Sequence, residues 1–390
     1  MKKTITALLT LGTALAMPSS IMTREDSPKS VLWRLLIGAP YQILTAYFDG
    51  SKFSIAGNYT VVGTAPSWMI TDSPNRIYAV NENANDVSLF TLDSDLSDPK
   101  FVSSANGSSG VVSLSLNANG THMVGAAYGS GMIDVWNVSS CDGSLTLLKS
   151  IPVPGDPNPA QGAHHPHQAL LEPTGRYFII PNLGGDSILV LDSKDDKYEI
   201  TNVVKLPTNT GPRHGGFAVN VKGPHYVMVS ELSNEVFLFQ LSFDEDTLNF
   251  KQVQVQSSYG TDPPANASSA AAGELVTDGV TDVFVSNRIS GNETDSIAHF
   301  KLSDNDTLDY VESVSSGGLR PRMFSVSLDP DQSFFFVANQ GGENGLVALQ
   351  RYKDSGRLNP TPVATLPNAA IVAPQLAATE FMGPQFVRQI

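Results

Sequence analysis

The sequence predicts an all-β fold, a seven-bladed β-propeller whose last blade is closed by strands from both termini. Three observations carry the prediction. Six segments of one pattern recur along the chain. Each holds short strands with period-2 patterning, separated by Pro/Gly/Asn/Asp turns. No stretch shows the 3.6-residue periodicity of a long amphipathic helix.

The elements follow in chain order. Met1-Lys2-Lys3 is a short basic start, Ile5 to Ala16 is an uncharged and mostly apolar run, and Ala14-Leu15-Ala16 is an A-x-A cleavage pattern. Residues 1–16 therefore read as a secretory signal peptide. The run falls short of the roughly 20 residues that span a bilayer, so no membrane association is expected of the mature form. Residues 17–34 are polar, Pro-containing and irregular, and read as a leader; residues 35–390 form the propeller.

The repeats begin at PSWMITDSPNRIYAV, SGVVSLSLNANGTHMVGAA, HPHQALLEPTGRYFIIPN, PRHGGFAVNVKGPHYVMVSE, AAAGELVTDGVTDVFVSN and RPRMFSVSLDPDQSFFFVAN. Residues Asn81, Ala127, Asn182, Glu231, Asn287 and Asn339, aligned just after the second strand, are separated by 46, 55, 49, 56 and 52 residues. Linking segments such as Leu145–Ile151 and Glu199–Lys205 supply a fourth strand. Four-stranded units at about 50 residues are the signature of propeller blades. Leu35–Phe48 adds strands with no partner, which the C-terminal stretch completes as a seventh blade. Such closure removes a free sheet edge.

Composition excludes several classes. Lys and Arg number 24 against 38 Asp and Glu, a net charge of −14, which argues against a nucleic-acid partner. The single cysteine, Cys141, excludes an intramolecular disulfide or a Cys-cluster metal site. Sequons at Asn58, Asn106, Asn119, Asn137, Asn266, Asn292 and Asn305 agree with a secreted glycoprotein.

A blade is an antiparallel meander of strands a to d, so its b–c turns and the d–a connections emerge on one face. The unusual polar residues fall at those places. His165 and His167 (in GAHHPHQ), Arg213 and His214 (in GPRHG) and Arg322 (in RPR) enter innermost strands, while Glu231, Arg288 and Gln340 lie at b–c turns. Three arginines at equivalent sites around one opening, in an Arg-poor chain, suit a carboxylate or phosphate. His and Glu supply proton transfer near neutral pH. No metal is expected, because no carboxylate cluster accompanies His164, His165 and His167 and Pro166 breaks any helical pairing. No cofactor is expected either, since the chain lacks a P-loop, a G-x-G-x-x-G, a G-x-S-x-G and a haem-ligand motif.

On HPHQALLEPTGRYFIIPNLGGD, GPRHGGF, VSELSNEV, FVSNR and PRMFSVSLDPDQSFFFVANQ, the chain resembles the lactonase family of seven-bladed propellers. That family includes bacterial 6-phosphogluconolactonases and fungal 3-carboxy-cis,cis-muconate lactonizing enzymes, and the secretion signal and sequons point to its fungal secreted branch. The resemblance implies a metal-independent lactonase or lactonizing enzyme acting on a small carboxylated or sugar lactone. It implies catalytic roles for His165 or His167, Arg213, Glu231 and Arg288; His214, Arg322 and Gln340, placed in the same funnel by the topology, are read as substrate contacts. The alternative is a secreted, non-catalytic platform for a ligand or glycan.

Overall fold

The computed structural model describes residues 32–390 except 73, 74, 262, 269–271 and 279, and the side chains of 272–276 are also left aside. The predicted signal peptide, and the leader up to residue 31, lie outside the described residues.

Seven four-stranded antiparallel sheets follow one another, and this is the predicted propeller. Blade 1 takes its innermost strand, Phe386–Gln389, from the C-terminal end and its other three, Trp33–Ala39, Gln42–Phe48 and Phe53–Thr60, from the N-terminal end. Gly38 pairs with Phe386 and Leu35 with Gln389, which closes the ring. Trp33 and Arg34, read in the sequence as the end of the irregular leader, already belong to a strand. Their backbone pairs with Phe48 and Tyr47, a contact that local composition does not show. Blades 2–7 then follow in chain order.

The second strands are apolar at nearly every position rather than alternately. Tyr177–Asn182 and Asp282–Asn287 are buried throughout. The reason is that both sheet faces pack against neighbouring blades. In blade 5, Tyr226 and Met228 face blade 4 while Val227 and Val229 face blade 6. Seven hydrophobic clusters result, one at each blade interface.

The acidic turns Asp93–Asp95 and Asp195–Asp196 join third to fourth strands. Cys141 is exposed in another such connection. Among the described residues no helix is long and apolar enough to cross a membrane.

Candidate active site at the mouth of the propeller axis

Two repeated backbone devices build the site. The first is a polar residue at the end of the second strand, which pins the preceding connection. Asn81 Oδ1 accepts from the Ala65 amide at 3.1 Å, and Asn182 Oδ1 accepts from the His165 amide at 3.0 Å. Asn287 Nδ2 donates to Ser258 O at 2.9 Å, Asn339 Nδ2 to Ser316 O at 3.0 Å, and the Ser230 hydroxyl to Thr210 O. These buried groups satisfy loop backbone that would otherwise lack partners.

The second device follows the pinned connection. A proline (Pro66, Pro166, Pro212, Pro321 or Pro384) precedes the residue that turns toward the axis. In blades 5 and 7 the strand register shifts between Pro212 and His214 and between Pro321 and Met323. Arg213 and Arg322 are thus the extra residues of β-bulges, which re-aim side chains. With His167, His214, Ser67 and Gln385 they line a cavity of about 10 Å3, too small for more than a water molecule.

Just past the second strands of four blades, Glu82, Tyr128, Glu231 and Arg288 gather at the site. Arg213 Nε lies 2.7 Å from Glu231 Oε2, and Arg288 Nη2 lies 3.2 Å from Glu231 Oε1. One carboxylate therefore bridges arginines from two blades. Arg322 Nη2 pairs with Glu82 Oε2 at 2.6 Å. Burial pushes the Glu82 carboxyl up, but the Arg322 charge and hydrogen bond outweigh it and hold it below the usual carboxylate range.

The histidines divide into distinct roles. His165 Nδ1 lies 2.8 Å from the Tyr128 carbonyl oxygen, and its ring stacks on Tyr128 at 4.2 Å and 16°. A carbonyl only accepts, so Nδ1 carries the proton and Nε2 holds the basic lone pair. Gly184 permits this placement, because a Cβ there would run into the His165 ring. His167 is buried and its Nδ1 lies 3.0 Å from His214 Nε2. Burial, then the positive charge of Arg213, lowers its pKa well below the ordinary histidine value. His164 Nδ1 is 3.0 Å from Asn182 Nδ2. The three histidines therefore face different partners rather than one ion.

The structure brings together His165, His167, Arg213, Glu231 and Arg288 around Tyr128. Two expected substrate contacts are not presented at the open mouth. His214 is only 2% exposed and backs His167, with its ring edge-on to Trp68 at 5.5 Å. Gln340 ends a second strand rather than lying in a turn, and lines a separate hollow with Leu319, Asn368 and Phe381. The backbone there holds its carbonyl to the Gly383 amide at 2.9 Å. Arg322 lines the axial cavity but is tied to Glu82.

Sequence reasoning missed Glu82 and Tyr128. Both occupy the position of Glu231 and Arg288, just past the second strand. The alignment conceals this, because in blade 5 the pinning residue is Ser230, one place before the aligned Glu231. Burial, then the nearby Glu231 charge, raises the Tyr128 phenol above its ordinary value.

The fold and this constellation define a seven-bladed propeller with an Arg/Glu/His site at the mouth of its axis. The chain belongs to the family described as "Lactonase, 7-bladed beta-propeller", whose model matches residues 34–374. A relative from Arthroderma benhamiae, named "Probable 6-phosphogluconolactonase", is 27% identical over 338 residues, covering 83% of each chain. The periplasmic gluconolactonase PpgL of Pseudomonas aeruginosa superposes with a TM-score of 0.75 at 23% identity, covering 92% of this chain and 99% of that one. A Lactobacillus plantarum protein superposes with a TM-score of 0.74 at 21% identity, covering 92% and 100%. These two likenesses show the fold.

Proposed function

We propose that the protein hydrolyses a small lactone carrying hydroxyl, carboxylate or phosphate groups, seated at the mouth of the axis. The observation that carries this reading is the Arg213–Glu231–Arg288 bridge beside a histidine whose tautomer is fixed. The name of the Arthroderma benhamiae relative supports a sugar lactone and favours hydrolysis over cyclisation.

In this reading His165 Nε2 accepts a proton from water as the water oxygen attacks the lactone carbonyl carbon. Arg288, oriented by Glu231, steadies the negative charge developing on the carbonyl oxygen. When the tetrahedral intermediate collapses, the ring C–O bond breaks. The His165 imidazolium then returns its proton to the departing ring oxygen, giving the hydroxy acid. Arg322, partly exposed beside Glu82, holds an anionic substituent, while the buried Arg213 orients Glu231. His167, kept neutral by its buried and positive surroundings, orients His214 and Tyr128 rather than carrying charge. The test removes Arg213 and Glu231 together and follows lactone turnover in a variant shown to be folded. Loss of turnover is expected, and unchanged turnover would sink the assignment.

We also propose an exported, glycosylated protein. Asn58, Asn106, Asn119, Asn266, Asn292 and Asn305 are exposed, whereas Asn137 is half-buried with its Oδ1 accepting from Ser139 at 2.9 Å. A glycosidase-induced mass loss in protein secreted by a eukaryotic host, absent from Asn137, is the expected result.

A further inference from the structure

Away from the axis, a hollow of about 280 Å3 opens between blades 1 and 2. That is just under the roughly 300 Å3 at which ligand pockets begin, room for a ligand of about one ring. Blade 5 fills the equivalent space with large side chains. In blade 5 the third strand starts at Glu235, and its third residue, Phe237, packs with Met228 and Val255 against blade 4. In blade 2 the third strand starts at Asp86, and its third residue is Ser88, paired with Ala79 on one side and Ser104 on the other. Three small side chains stand where three large ones fill the gap.

Farther along the same blade face, and from Tyr59 of blade 1 across the hollow, the lining is aromatic. Tyr59 and Phe90 meet at 5.1 Å and 73°, and Phe90 and Phe101 at 5.7 Å and 74°, so successive rings stand nearly perpendicular. Phe101 is 47% exposed at the rim. Asp86 lines the same hollow. Its carboxylate accepts from Asn81 Nδ2 at 3.0 Å and Ser88 Oγ at 3.3 Å, and it makes no ion pair with a described residue. Angled aromatic faces beside a carboxylate suit an organic ammonium ion. The net charge of −14 favours cations over anions across the surface.

We propose that this hollow binds a small organic cation, with its ammonium at Asp86 and its apolar body against Tyr59, Phe90 and Phe101. The site is separate from the axial one and does not depend on the lactonase reading. The test is calorimetric titration of the full chain with phenethylammonium, and with 2-phenylethanol as its neutral counterpart. One saturable site is expected for the amine, with binding at least about tenfold weaker for the alcohol. Asp86→Asn should weaken amine binding by a similar factor. Ser88→Phe, which copies the filling of blade 5, should abolish it, and Ser104→Val serves as a second filling variant should the first not fold. The absence of saturable binding, equal binding of the alcohol, or binding indifferent to the folded filling variant would overturn the proposal.

Discussion

Two networks in this molecule are made of the same parts and sit at opposite ends of the blades. At the mouth of the axis, Glu231 bridges Arg213 and Arg288 beside His165 and His167. At the interface of blades 6 and 7, Asp282 bonds His299 Nε2 at 3.1 Å and Arg351 Nη2 at 2.6 Å, and Arg351 also reaches Asp278 at 3.2 Å. The second network is sealed: His299, Asp282 and Arg351 are 0%, 3% and 8% exposed. In the first, the Glu231 side chain keeps 19% of its surface and that of Arg288 13%. The same residue types are therefore sealed between blades in one place and left partly open in the other. Position on the meander, not residue type, decides which.

The comparison can be broken by exchanging its consequences. The largest expected effect is Glu231→Gln, which leaves Arg213 and Arg288 without their shared carboxylate. Lactone turnover should fall by about 10²–10³-fold, with the thermal midpoint changed far less. Arg351→Ala should do the reverse. It strands Asp282 and Asp278 in the interior and should cost about 3–5 kcal/mol in denaturant unfolding, with turnover per folded molecule retained.

A smaller effect separates the two histidines. His167 has a depressed pKa, caused first by burial and then by Arg213. The unfolded chain therefore binds more protons than the folded one below the ordinary histidine value of about 6.5. Stability should be lost as pH falls from there toward the lowered folded value, by at most about 1.4 kcal/mol per pH unit for this group. His167→Gln should flatten that slope in a chemical-denaturation series between pH 7 and 5. The smallest effect is expected of Gln340→Ala. Gln340 lines a different hollow, so turnover should stay within about twofold of wild type, inside the range of surface substitutions.

The ring was legible in the sequence because strand period, turn residues and repeat spacing all report local structure. Closure was legible as an arithmetic remainder, and Phe386–Gln389 fills the predicted place. The start of the first strand at Trp33 was not, because its partner Phe48 reveals the pairing only in space. Arg213, Glu231 and Arg288 stood out as rare charged residues at repeated positions. Glu82 and Tyr128 share those positions but were hidden by a one-residue misalignment at Ser230. The difference between His165 and His167 depends on a carbonyl 37 residues away and on burial, and neither leaves a sequence mark. The bulges at Arg213 and Arg322 likewise depend on partner strands.

The central claim is that His165, held through Nδ1 by the Tyr128 carbonyl, is the base of a lactone hydrolase. His165→Asn tests it most directly, because an Asn Nδ2 can still donate to that carbonyl while no basic nitrogen remains. Purified wild type and variant would be followed by pH-stat titration against sugar lactones with and without a phosphate. Saturable hydrolysis by wild type, reduced about 10²-fold or more in the folded variant, is the predicted result. Equal turnover by the two proteins, or none by wild type on any lactone of the panel, would contradict it.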